Sequence, residues 1–152
     1  MGTTGAGSGS VVRQPVVVVD TREQKPYRFP RSVTQMLQTG DYSIQGFEDQ
    51  VTIERKTKQD AYSSLGGGRA RFQREMERLA DFDYAAVVIE TSLPDFLTPP
   101  PFSRLNPNSA ICTLLAWSVR YGVHVFFAGD RANGNNVARQ LLTKYWLYHK
   151  EV

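Results

Sequence analysis

The stretch that decides the fold runs from Gly40 to Asp60 and reads GDYSIQGFEDQVTIERKTKQD. Two runs with strand character, Asp41 to Gln45 and Gln50 to Lys56, flank a turn around Gly46 and predict a β-hairpin. Within the second run Glu54 and Lys56 stand two positions apart, so both side chains leave one face of the strand while Arg55 leaves the other. Asp41 opens the first run, and closing the hairpin brings it beside Glu54. Two hard oxygen donors and one ammonium then share a pocket. Such a pocket suits Mg²⁺ or Mn²⁺, because a magnesium-like ion takes one or two carboxylates and keeps several waters. An ion held there neutralises phosphate charge and activates water, and a neighbouring lysine orients the nucleophile or steadies developing negative charge. Phosphodiester hydrolysis is the chemistry this donor set serves. The plain alternative is a surface ion pair between Glu54 and Lys56.

Outward from this stretch, Val16 to Val19 reads as a strand buried on both faces, whose C-terminal end delivers Asp20 to the mouth where α/β ligand sites form. Asp20 is there a further ligand, a holder of ligand-bound water, or a cap on the next turn. Thr21 to Pro30 is too broken for a helix, and Ser32 to Leu37 reads as extended. Gly66, Gly67 and Gly68 interrupt any helix begun near Asp60, and Phe72, Met76 and Leu79 predict the next from about Arg69 to Asp81. On that helix Arg71, Arg74 and Arg78 suit phosphate contacts, but Glu75 and Glu77 are spaced to pair with them on an ordinary helix surface.

A strand follows over Tyr84 to Glu90, then a surface loop containing Pro94, Pro99, Pro100 and Pro101. Asn106 and Pro107 open a helix that Gly122 stops after Tyr121. Val123 to Ala128 reads as a buried strand with His124 in the core, and after the loop GDRANGNN a last helix presents Val137, Leu141, Tyr145 and Tyr148 on one face. A mixed β-sheet flanked by α-helices is the natural packing of this order.

The glycine-rich residues 1–13 read as a disordered tail or an expression remnant, leaving 14–152 as one domain of ordinary size. No apolar run is long enough to span a bilayer, so a membrane role is not expected. Cys112 is the only cysteine; it excludes an internal disulfide, reads as a small buried hydrophobe, and fits an intracellular setting in cytoplasm or nucleoid. The net charge of +3 is too mild to argue for a polyanionic partner unaided.

Five blocks, VVVVDTRE (16–23), GDYSI (40–44), IERKTKQD (53–60), SLGGGRARFQ (64–73) and AVVIE (86–90), resemble the XPF-type structure-specific endonuclease domain of the restriction-endonuclease-like superfamily. Its hallmark is a Gly-Asp pair followed by Glu-Arg-Lys, three residues and Asp. The resemblance implies a restriction-endonuclease-like α/β fold. It also implies that Asp41 and Glu54 bind the metal with help from the main-chain carbonyl of Arg55, and that Lys56 is catalytic. Asp20, with Arg22 and Glu23, matches active-site positions after the first strand. Asp60 closes the hallmark, and Arg69 and Gln73 match a segment near the site that supports it or contacts DNA. The implied function is a Mg²⁺- or Mn²⁺-dependent DNA endonuclease, structure-selective and tied to repair, recombination or replication, acting alone or as a homodimer or heterodimer. Beyond Glu90 the resemblance rests on element order, which points to a bacterial or phage-type member. A catalytically silent DNA-binding or scaffold subunit is the alternative, and site chemistry alone leaves RNA open as substrate.

Overall fold

The structure, a computed structural model, describes residues 13–150. The valine run forms β1 (Val17–Val19), and the extended segment after the broken loop forms the short exposed strand β2 (Ser32–Thr34). The expected hairpin is present as β3 (Tyr42–Ile44) and β4 (Val51–Lys56), followed by β5 (Tyr84–Ile89) and β6 (His124–Phe127). These strands make one six-stranded sheet in the order β2-β1-β3-β4-β5-β6. Pairing is antiparallel where β3 meets β1 and β4, and parallel elsewhere. The helices are α1 (Lys58–Leu65), α2 (Arg69–Leu79), α3 (Leu93–Phe96), α4 (Pro107–Tyr121) and α5 (Arg131–His149).

Strand alternation divides the core in two. Ala85, Val87 and Ile89 face α1, α2 and α4, packing with Leu65, Met76 and Leu114, whereas Ile53, Ala86 and Val88 face α5, packing with Ala138 and Leu142. By the same parity Asp20, Asp41, Glu54 and Lys56 belong to the first face and Arg55 to the second. Because β3 runs against β1 and β4, its start lies at the same end of the sheet as their ends. That common end is where ligand crevices form in α/β sheets.

Several expectations are corrected. A helix does form between Lys58 and Leu65, since Thr57 and Asp60 exchange side chain to backbone hydrogen bonds in a capping box before the glycines end it. The proline-rich loop includes the short helix α3, whose Phe96 is fully buried. β6 is an edge strand, only partly buried, so His124 is exposed and stacks on Tyr84 at 4.7 Å between ring centroids. Cys112 is exposed too, on the outer side of α4.

The last helix begins at Arg131 inside the expected loop, because the Asp130 side chain accepts from the Asn133 amide at 2.8 Å. Its most buried residues are Gly134, Ala138, Leu142 and Tyr145; of the expected stripe Tyr145 is buried, Val137 and Leu141 pack half-buried against the same core, and Tyr148 is exposed. Gly134 is required by proximity, since a Cβ there would overlap the Tyr27 hydroxyl. The tail reading of residues 1–13 lies, but for Arg13, outside the described residues. No helix among the described residues is long and apolar enough to cross a membrane.

Candidate active site

Gly40 sets the position of Asp41. Its φ of +87° is a left-handed conformation that side chains rarely adopt, and a Cβ there would overlap the Thr52 hydroxyl. Asp41 then bonds into the hairpin, donating its amide to the Ile53 carbonyl at 2.8 Å while its carboxylate accepts the Arg55 amide at 2.7 Å. Glu54 follows on the same face, and both acids line a cleft of about 250 Å³ with Asp20, Arg22, Glu75 and Arg78.

Lys56 sits beside this cleft, its ammonium 3.4 Å from Glu54, 3.8 Å from Glu75 and 3.2 Å from the Ser64 hydroxyl, above the Phe72 ring. Burial pulls the ammonium's pKa down, but Glu54 and Glu75 outweigh that and leave it raised, so the lysine is charged at neutral pH. Burial pushes Asp41 up to about 6, helped by the charges of Glu23 and Glu75 and opposed by the Arg55 amide. Glu54 is raised well above the usual carboxylate range by burial, then by Asp41 and Glu75. The site therefore concentrates more negative charge than its lysine balances.

Asp20 is buried and its carboxylate is fully engaged: Arg22 donates through its amide, Nε and Nη2, and the Leu37 amide donates at 2.8 Å. Burial raises its pKa, and these bonds overcome that and hold it below the ordinary value. Arg22 also donates to the Leu37 carbonyl at 2.8 Å, so the pair fastens the segment after β2 to the rim of the cleft.

Glu23 takes a different place. It accepts from the Tyr42 hydroxyl and from Arg55 at 3.3 Å, on the α5 side of the sheet. There Arg55 also pairs with Glu90 at 2.6 Å, Tyr27 donates to Glu90, and Arg55 lies over the Tyr27 ring. Asp60 is occupied by the capping box of α1. Arg69 and Gln73 turn toward α4: Arg69 donates to Thr113 at 3.0 Å and covers Trp117, and Gln73 donates to the Tyr121 hydroxyl at 3.1 Å.

Sequence reasoning missed Glu75 by pairing it with Arg71 on the helix surface. The available signal was its place beside the buried stripe of Phe72, Met76 and Leu79, where an acid on α2 faces the sheet. Glu90 was read as a strand end and is the anchor of the Arg55 network.

No group of His, Cys, Asp or Glu among the described residues closes into a ready-made cage of three or more metal-binding side chains. The donor chemistry still fits a hard divalent cation: Asp41 and Glu54 are carboxylates whose mutual repulsion a cation relieves, and Mg²⁺ needs only one or two such groups. Acids and a lysine at the C-terminal crevice of a mixed sheet covered by helices on both faces define an α/β domain with a charged site where such sheets bind ligands.

The chain belongs to the ERCC4 domain family, whose model matches residues 19–141. Among solved structures it is similar to XPF from Aeropyrum pernix, at 24% identity and a TM-score of 0.66, covering 86% of this chain and 61% of that one. A second structure, XPF from Aeropyrum pernix in complex with DNA, matches at 24% identity and a TM-score of 0.68, covering 89% and 66%. The chain thus spans less than two thirds of either structure. No curated protein matches it.

Proposed function

We propose that this chain is a divalent-metal-dependent endonuclease that hydrolyses phosphodiester bonds in DNA at structured sites, in repair, recombination or replication. The observation that carries this reading is the convergence of Asp41, Glu54 and Lys56 on one face at one end of the sheet. The family and the DNA complex of a structural relative support DNA as substrate.

Asp41 and Glu54 would hold Mg²⁺ or Mn²⁺, with the Arg55 carbonyl as a further donor, and the ion supplies charge neutralisation and an acidified water when bound. Lys56, pinned by Glu54, Glu75 and Ser64, donates to the attacking water or to a non-bridging phosphate oxygen as negative charge builds. Arg22 and Arg78, on the cleft wall, offer cations to the flanking phosphates. Asp20 acts through Arg22 by holding its guanidinium. Leu115 and Val119, exposed on α4, form an apolar strip that supports pairing with a second chain, identical or related.

The test is cleavage of flap, fork, hairpin and single-stranded DNA, with an RNA control, with and without Mn²⁺. Asp41→Ala and Glu54→Ala should abolish cutting in a folded protein, while Lys56→Ala should cut at least a hundredfold more slowly and still bind Mn²⁺ (roughly the 10² to 10⁴ range of a removed electrostatic donor). DNA retained in a gel shift but never cut under any metal would give the protein to the silent-subunit alternative.

A further inference from the structure

The loop TPPPFS, residues 98–103, carries two facts that its packing does not explain. Phe102 has a φ of +68°, the only positive φ at a non-glycine among the described residues. A bulky side chain is a true outlier in that region. Phe102 is also 102% exposed, the highest value among the large apolar side chains, and contributes nothing to either core. A glycine would relieve the backbone, and any polar residue would suit the solvent. The fold gains nothing from phenylalanine.

The loop is nevertheless held in shape. Three successive prolines fix φ before it, the Ser103 amide bonds the Pro100 carbonyl at 3.2 Å, and the Ser103 hydroxyl accepts the Leu105 amide at 3.3 Å. Its position connects it to the chemistry. Phe102 and Arg104 line a cavity of about 430 Å³ that shares Ser63 and Gly67 with a groove of about 550 Å³ walled by Lys56 and Arg71. That groove shares Glu75 and Arg78 with the Asp41 and Glu54 cleft. The carboxylate cleft, the groove and the Phe102 cavity are therefore neighbours in series, with Arg78, Arg71 and Arg104 along them.

We propose that Phe102 is a stacking platform for a nucleobase of the strand whose phosphate occupies the cleft. Arginines at intervals and an aromatic ring at the end are the parts of a single-strand binding path. Bases inside a duplex have both faces covered, so the platform can take only an unpaired or terminal base. The inference rests on the nuclease reading and deepens it by adding a contact, made by Phe102, to a base of the bound strand.

The test uses fork and fully paired DNA, with 2-aminopurine placed along the single-stranded arm of the fork. The wild-type protein should quench the fluorophore at one position. Phe102→Ala should lose the quench and weaken fork binding roughly five- to a hundredfold, with duplex binding unchanged. Phe102→Trp should restore both, and Phe102→Gly should bind as poorly as the alanine variant while melting no lower than wild type. Unchanged fork binding in Phe102→Ala, equal losses on fork and duplex, or a dimer that dissociates on the substitution would each overturn the proposal. If wild type cuts these DNAs and Phe102→Ala cuts equally well, this inference falls alone; if wild type neither binds nor cuts any of them, it falls with the nuclease reading.

Discussion

Lowering the pH from 8 toward 5 should stabilise the metal-free protein. Asp41 is pushed from an ordinary 3.8 up to about 6, so the folded chain binds that proton more tightly than the unfolded chain does. The stabilisation is complete below the unfolded value and disappears as pH rises through the folded one. At about 1.4 kcal/mol per pH unit, the rise costs about 3 kcal/mol of stability at pH 7.5. For a domain of this size that is roughly 10 °C in melting temperature, of which about half is regained by pH 5. Glu54 is shifted in the same direction and steepens the slope, while Asp20 is shifted oppositely but titrates below this window. Thermal melts followed by circular dichroism in EDTA at half-unit pH intervals measure the effect. Asp41→Asn should raise the melting point at pH 7.5 and flatten the profile, and saturating Mn²⁺ should protect more at pH 7.5 than at pH 5.5. A metal-free melting point that climbs from pH 5.5 to pH 8 would refute the crowding of carboxylates on which this reasoning stands.

Three further outcomes follow from neighbouring contacts. Glu75→Gln removes a charge that raises both Asp41 and Glu54, so the acidic limb of the pH–rate profile should move to lower pH; a limb that stays in place denies Glu75 any part in the site. Gly134→Ala gains about 1 kcal/mol of helix propensity but crowds the Tyr27 hydroxyl against Glu90, for a net loss of about 1 to 2 kcal/mol in urea unfolding, and a net gain would contradict the close approach. Arg69→Ala should lower the melting point by freeing Trp117 and Thr113, yet leave the salt dependence of DNA binding unchanged; a shallower salt slope would make Arg69 a phosphate contact.

The fold was legible where one strong local signal decided it. Strand alternation placed Glu54 and Lys56 together, and the Gly46 turn closed the hairpin that delivers Asp41. What stayed hidden was set across the sequence. Gly134 looks like a helix breaker until Tyr27 is seen beneath it, so the start of α5 could not be read locally. His124 lies in an apolar run, yet β6 is an edge strand, and nothing in the run says which strand is last. Glu75 has a local partner in Arg71, and only the packing of α2 over β4 turns it toward Lys56. Arg69 and Gln73 match positions near the site by motif, but their helix presents them to α4.

Arg55 gives the chemical centre a foundation on the opposite side of the sheet. Its amide steadies Asp41 while its guanidinium is moored to Glu23 and Glu90, and Tyr27, which shares Glu90, lies directly under Gly134 of α5. The last helix thus bears on the Asp41 and Glu54 cleft without lining it. A shortened chain that stopped before Arg131 would strand two carboxylates and a guanidinium in open water, and damage to the far side of the molecule would be felt as slack around Asp41.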